Sequence, residues 1–281
     1  MNRKLLREAL ASAPQQPATA FWRAVELDHL AGSGALPLAG AGLDLGCGDG
    51  AVTELLARTL AADWTLVGVD PDEREAELAR RRGLYARVHA VPGSEIPEPD
   101  DAFDFVLSNS VLEHVEELEP VLGEAGRILR PGGRLVVTVP GPGFQSLLRG
   151  PSVLGRAATG TRDRDAYLAA VDRRLAHVRY WSEAEWAAAL ADAGLALVST
   201  STYLTRAEVR RWETLSNATG GLVSRLSRDS PLRAQRRLGL RRRLPGPVRS
   251  AAGTLSPLLA ARLHGSPDGP GACLLLVAEP R

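Results

Sequence analysis

Sulfur and lysine are almost missing from this chain. Its 281 residues include two cysteines, one methionine and a single lysine, Lys4. Cys47 lies in a glycine-rich turn and Cys273 in a terminal apolar run. They are spaced like neither a disulfide framework nor a metal site, and a reducing cytoplasm is expected. No Cys-x-x-Cys, His-Glu-x-x-His or Ser/His/Asp arrangement is present, so disulfide, zinc and triad chemistry lack residues to carry them. Long hydrophobic runs are missing as well. The longest clean one, Ala272–Ala278, is far short of the roughly twenty residues a spanning helix needs, and no transmembrane protein is expected. Arg7 and Glu8 interrupt Leu5–Leu10, so no signal-peptide apolar region follows the basic start and secretion is not expected. A formal net charge of +1 gives no reason to expect nucleic acid as a partner, because a phosphate backbone selects a clearly basic surface. No repeat is visible.

What is present is ordinary globular material, 44% hydrophobic and 24% charged, enough for one large core with room for a small appended unit. The chain is organised around Leu43-Asp44-Leu45-Gly46-Cys47-Gly48-Asp49-Gly50, an apolar run ending in a turn that opens a helix at Ala51. Glycines at 46, 48 and 50 leave no Cβ between a ligand and the backbone N–H groups at a helix N-terminus. The same spacing, with Asp70 about twenty residues on, also satisfies a loose dinucleotide fingerprint. Charge separates the two readings. Asp44 and Asp49 would repel a pyrophosphate in a partly desolvated site, whereas a cationic ligand suits them.

Leu43–Gly50 resembles the first motif of the class I S-adenosylmethionine-dependent methyltransferases of the small-molecule type, similar to methyltransferase domain 11. Three later segments are similar to the family in the same order: Ala102–Val115, Arg127–Arg134 and His177–Gly194. The resemblance implies S-adenosyl-L-methionine as cofactor, held by Asp44, Gly46, Cys47, Gly48, Asp70 and Pro71, with Asp70 accepting from the ribose diol. It puts Gly93, Ser94 and Glu95 near adenine, and Asn109 and Ser110 near the methionyl end. Pro92 stands where the family often has an aspartate that accepts from the adenine amino group, and proline has neither carboxylate nor N–H. Ser94 or Glu95 would have to take that role, unless the segment is a plain Pro-Gly turn.

Periodicity gives strand 43–45, helix 51–61, strand 65–70, helix 72–82, strand 86–91, strand 103–108, helix 117–129 and strand 134–139. Such alternation means a parallel sheet with crossover helices, and ligands bind at the carboxyl ends of its strands, where the motifs converge. The expected fold is α/β: a doubly wound, mostly parallel, seven-stranded, Rossmann-like methyltransferase sheet, with 195–200 and 273–278 as its last hairpin. Residues 1–42 form an N-terminal helical flap and linker, with helix 21–30. The catalytic domain is 43–202 plus 271–281, and 203–270 is a helical insertion.

By the same resemblance the N-terminal segment lies over the cofactor pocket, making Trp22, Arg23 and Glu26 candidate substrate contacts. Alternatively Phe21 and Trp22 pin their helix to the core. Pro140–Thr161 is rich in glycine and proline and reads as a mobile connection, with Phe144 a further substrate candidate. Two histidines are candidate bases for a substrate hydroxyl: His114, after the fourth strand, and His177, just before a helix whose Ser182 and Glu185 form a capping box. Packing in the turn is the alternative for His114, and an exposed linker for His177. Tyr180, beside it, is a substrate candidate. A nicotinamide oxidoreductase and a non-catalytic cofactor-binding regulatory protein remain as alternative functions.

Charge asymmetry is confined to the insertion, where twelve arginines face only Glu208, Glu213 and Asp229 across 203–250, interleaved with leucines. A basic amphipathic element suits a lipid-linked or phosphorylated substrate at a membrane surface. A lid of solvated arginines over a soluble small molecule or sugar is the alternative. A cytoplasmic protein is expected, peripheral at the membrane on the first reading, and the sequence does not reveal its oligomeric state.

Overall fold

A computed structural model describes residues 2–13, 16–221 and 271–281. Its helices are α1 Arg3–Ser12, α2 Pro17–Ser33, α3 Ala51–Leu60, α4 Glu73–Arg82, α5 Leu118–Ile128, α6 Gly143–Leu147, α7 Val153–Thr159, α8 Arg164–Leu175, α9 Glu183–Asp192 and α10 Arg206–Ser216. The strands are β1 Ala39–Leu45, β2 Asp63–Val69, β3 Tyr85–His89, β4 Phe103–Asn109, β5 Leu129–Pro140, β6 Leu195–Tyr203 and β7 Cys273–Pro280. Two compact units result. One is a sheet unit of His29–Pro142, Arg179–Tyr203 and Cys273–Arg281; the other takes in the described residues of Met1–Asp28, Gly143–Val178 and Leu204–Ala272.

In the sheet unit the strand order is β3-β2-β1-β4-β5-β7-β6. The first five strands pair in parallel, and β7 runs antiparallel to both β5 and β6. Parallel strands must be covered on both faces, which is why they read as nearly unbroken apolar runs. Leu43, Leu45, Val67, Val69, Val106, Leu135 and Val137 pack with Val121, Leu122 and Ala125 of α5 and Trp186 and Leu190 of α9 in one buried core. Each such side chain contributes about 1.5–3 kcal/mol when fully buried.

Several boundaries differ from those the sequence predicts, each for a packing reason. The 31–42 linker is largely structured, because α2 runs to Ser33 and β1 begins at Ala39. A Cβ on Gly42 would fall 2.1 Å from the Phe105 ring, so glycine there is demanded by a close ring and does not mark a loop. Helix α2 begins at Pro17, four residues before the predicted start. Proline lacks only an N–H that the first turn leaves unbonded anyway. The capping box at Ser182 and Glu185 forms as expected.

The other unit is helical throughout its described residues. Residues 140–161, expected as a mobile connection, instead hold α6 and α7. Ser152 caps α7 at its start and Gly160, in a left-handed conformation, ends it. Gly155 is a packing glycine, since a Cβ would lie 2.9 Å from the Tyr167 ring. The insertion opens with α10, whose Thr205 and Glu208 form a second capping box. Of the twelve arginines across 203–250, Arg206, Arg210 and Arg211 are described; the other nine, with most of the expected basic element, lie outside the described residues.

Candidate functional site

The glycine turn hangs from the end of β2. Gly46 and Cys47 both donate their N–H groups to the Val69 carbonyl, at 2.8 and 3.0 Å, which folds the chain sharply out of β1. Gly46 has φ of 79° and its missing Cβ would collide with Val111 at 2.5 Å. Gly48 differs. At φ of 54° a Cβ there would meet nothing within 4 Å, so the turn leaves open space beside this backbone atom. Gly50 caps α3 from a left-handed conformation.

Asp70, at the end of β2, is half-buried and braces this turn. Its Oδ2 accepts from the Gly48 N–H and its Oδ1 from the Asp72 N–H, both at 2.9 Å. A carboxylate has about four acceptor positions, so two remain for a diol. Pro71, which follows, is exposed.

The two acids of the turn are not equivalent, which corrects the charge argument made from sequence. Asp49 accepts from the Ala51 N–H at 3.1 Å, and its Oδ2 lies 3.5 Å from the Arg82 guanidinium, so much of its charge is answered locally. Asp44 is only 2% exposed and, among the described residues, forms no ion pair; the Tyr85 hydroxyl donates to it at 2.6 Å. Burial raises its carboxyl to about 6, opposed by hydrogen bonds from Thr53 and Tyr85 and assisted by the nearby Asp70 charge. The case for a cationic ligand therefore rests on Asp44 and Asp70. Neither Tyr85 nor Arg82 was legible as a site residue, since each lies more than thirty residues from its partner. Cys47 is buried and its thiol is pushed well above the ordinary range by burial, which removes it as a nucleophile.

The Asp44 shift has a stability consequence. A carboxyl raised in the fold destabilises the folded state when ionised, above pH 6, and that cost disappears as pH falls through the folded value toward the unfolded one. Asp44→Asn is accordingly expected to make the ligand-free chain about 2 kcal/mol more stable at pH 7.5, with the difference shrinking toward pH 4.5. Urea titration of both proteins at the two pH values checks this, and equal midpoints at pH 7.5 would contradict it.

Gly93 lies against the end of β1, where a Cβ would fall 2.8 Å from Leu45, so the turn after β3 reaches the same strand ends. Ser94 is half-buried and Glu95 exposed, its N–H closing a turn onto the Pro92 carbonyl at 3.0 Å. After β4, Asn109 donates its amide to Thr138 Oγ1 at 2.9 Å, and the Ser110 N–H donates to the same oxygen at 3.0 Å. Ser110 takes φ of 50°, in the left-handed region that non-glycine residues uncommonly adopt.

His114 ends a single 3-10 turn, Leu112–His114; it is exposed, beside the buried Glu113. Arg179 holds that turn by donating to the carbonyls of Leu112 and Glu116, with its guanidinium 4.9 Å above the Trp181 ring. Tyr180 is half-buried in the same unit. The remaining candidates belong to the helical unit. Trp22, Phe144 and Trp212 pack edge to face at 5.3–5.4 Å, all nearly inaccessible, and His177 lies 6.2 Å from the Phe144 ring. Glu26 is fully buried and paired with Arg23 at 2.5 Å. The structure thus gathers the glycine turn, Asp70, Gly93–Glu95 and Asn109–Ser110 at one end of one sheet. Trp22, Phe144 and Glu26 form core of the helical unit.

An antiparallel β7 between β5 and β6 is not the all-parallel sheet of the dinucleotide fold, whose strand order is 3-2-1-4-5-6. Together with the open glycine turn and its acid at the end of β2, it defines the S-adenosylmethionine-dependent methyltransferase class. A methyltransferase-domain family model matches residues 19–200, and the chain belongs to that family. It is 36% identical over 99 residues to a ubiquinone biosynthesis O-methyltransferase of Rhizobium etli, covering 34% of this chain and 39% of the relative. It is 38% identical over 97 residues to a demethylmenaquinone methyltransferase of Tropheryma whipplei, covering 34% and 39%. The chain thus spans well under half the length of these relatives. The fold matches an S-adenosylmethionine-dependent methyltransferase, possibly acting on histamine by its name, from Thermotoga maritima, with a TM-score of 0.50 at 22% identity over 94% of this chain and 91% of that one. A chain of the complex between a Haloferax volcanii methyltransferase activator and a putative methyltransferase matches with a TM-score of 0.54 at 17% identity, over 98% and 97%. S-adenosyl-L-methionine is the cofactor of this class, and the turn fits it: open space at Gly48, unpaired acceptor capacity on Asp70 and, among the described residues, Arg82 as the cation paired to the turn, already engaged by Asp49 and Glu54.

Proposed function

We propose that this protein transfers a methyl group from S-adenosyl-L-methionine to an oxygen of a small-molecule, sugar or lipid-linked acceptor. The observation that carries the reading is the glycine turn itself, open at Gly48 and braced by Asp70 at the carboxyl ends of a methyltransferase sheet. The bound cofactor supplies an electrophilic methyl on a sulfonium. The chain's part is to bind and orient: Gly46–Gly48 by leaving backbone open to the cofactor at Gly48, since their N–H groups are already held by Val69 and Asp70, Asp70 at the ribose, Gly93–Ser94 beside adenine, and Asn109–Ser110 at the methionyl end. His114, exposed on the turn that Arg179 holds, is the candidate to take the acceptor's proton in the sheet unit, and His177 in the helical unit.

Oxygen as the acceptor atom is supported by the relative named for O-methylation in ubiquinone biosynthesis, and an apolar acceptor by both relatives named above. A cytoplasmic enzyme that meets a lipid-linked acceptor at the membrane surface is consistent with the arginine-rich 203–250 sequence. Among the described residues no helix is long and apolar enough to cross a membrane. Cosedimentation with anionic vesicles, lost at high salt, is expected for the surface reading; indifference to lipid charge would leave a soluble acceptor.

Calorimetry with S-adenosylhomocysteine and with NAD(H) tests the cofactor. Binding of the first alone is expected, and Asp70→Ala should weaken it roughly tenfold by leaving the diol and the Gly48 N–H without their acceptor. Binding of NAD(H) alone would overturn the proposal. Labelled cofactor incubated with cell extract is expected to mark an extractable product, whereas a non-catalytic binding protein would mark none.

A further inference from the structure

Two residues at one corner of the fold reach back to the glycine turn. Arg82 ends α4, and its Nε donates to the Asp49 carbonyl at 2.7 Å while another guanidinium nitrogen donates to Glu54 at 2.7 Å. Tyr85 begins β3 three residues later and touches the turn in two ways. Its hydroxyl donates to Asp44 at 2.6 Å. Its ring lies against the backbone so closely that a Cβ on Gly50 would be 2.7 Å from it and one on Gly68 3.2 Å. This ring adds to what keeps both positions small: the left-handed φ at Gly50 and, at Gly68, the Cys47 sulfur, 2.9 Å from where a Cβ would be.

We propose that Tyr85 is a positioning residue for the cofactor: its ring sets the height of the glycine turn, and its hydroxyl, by donating to Asp44, holds that carboxylate as the anion beneath the turn. The inference rests on the cofactor reading given above. Three neighbours act on Asp44: the hydroxyls of Tyr85 on β3 and Thr53 on α3, which stabilise the anion, and the Asp70 carboxylate at the end of β2, which disfavours it; the nearby Cys47 thiol stays neutral and adds no charge. Burial adds to the Asp70 effect and brings the carboxyl to about 6, so the two hydroxyls offset a strong opposing force. A cofactor bearing a sulfonium and an ammonium binds better over the anion than over the neutral acid.

The sign follows. As pH falls through about 6 the anion is lost and affinity falls with it, and removing one hydroxyl donor moves that loss to higher pH. Calorimetric titration of S-adenosylmethionine between pH 5.5 and 8.5 into the full-length wild type, Tyr85→Phe and Asp44→Asn tests this. Tyr85→Phe deletes one oxygen and keeps the ring. Its affinity is expected to match wild type at pH 8.5, to be about threefold weaker at pH 6.5 and about eightfold weaker at pH 5.5, as for a rise of about one unit in the Asp44 carboxyl. Asp44→Asn is expected to bind weakly with no step near pH 6, a readout that stands even if Tyr85→Phe does not fold. A Tyr85→Phe profile that superposes on wild type, or lies below it by one factor at every pH, overturns the proposal. So does a step near pH 6 that persists in Asp44→Asn. Wild type that binds at no pH would instead remove the cofactor reading, a different result from either.

Discussion

Gly48→Val is expected to weaken S-adenosylhomocysteine binding about 100-fold while the chain still folds. The two halves of that expectation have separate causes. In the protein a Cβ at position 48 meets nothing within 4 Å, so the branch point of the new side chain displaces no neighbour. Their cost to the fold is conformational, because φ of 54° is disfavoured for a β-branched residue, on the order of 2 kcal/mol. The space they take is the space a ligand needs to lie on the backbone, and a loss of about 2.7 kcal/mol of contact is a factor of 100 in affinity. Gly46→Ala is the control with the opposite balance. Its single methyl would fall 2.5 Å from Val111, so stability falls first and more steeply. Thermal melts paired with calorimetry separate the two. Gly48→Val binding as tightly as wild type would mean that no cofactor lies against this turn.

Much of this arrangement was legible in the sequence, and the reason is periodicity. Parallel strands are buried on both faces, so Leu43–Leu45, Leu66–Val69 and Phe103–Leu107 stand out as apolar runs, and the amphipathic helices between them fix the alternation. The glycine turn was legible because only glycine tolerates a left-handed backbone at 46, 48 and 50 without cost. What sequence could not reveal were partners distant along the chain. Gly42 looks like linker until the Phe105 ring is placed over it, and Gly155 looks like loop until Tyr167 is. Asp44 and Asp49 look alike in sequence, and only Arg82 and Tyr85, arriving from the α4–β3 corner, make one of them answered and the other buried. Helices α6 and α7 were missed because five and seven residues leave too little periodicity to see.

Glu213→Ala is expected to cost about 3–4 kcal/mol of stability, the largest single loss among the polar groups described here. Glu213 lies on α10, 3% exposed, and its two oxygens accept three hydrogen bonds: from the Arg149 N–H at 2.8 Å, the Gly150 N–H at 3.1 Å and the Tyr167 hydroxyl at 2.8 Å. Tyr167 is itself fully buried and receives the Asn217 amide at 2.9 Å, while the half-buried Arg174 donates to Ser216 at 2.9 Å and feels the Glu213 charge. One carboxylate therefore satisfies the chain between α6 and α7, a tyrosine of α8 and part of the charge on an arginine whose burial already disfavours its cationic form. Removing it strands two backbone donors and leaves Arg174 less compensated in a region that water does not reach. Glu213→Gln keeps the shape and one acceptor oxygen, so it should cost about half as much. Urea unfolding gives the magnitude, and faster amide exchange at Arg149 and Gly150 gives the location. A Glu213→Ala chain destabilised by less than about 1 kcal/mol would show that these donors find water, and that the helical unit is held by its apolar contacts alone.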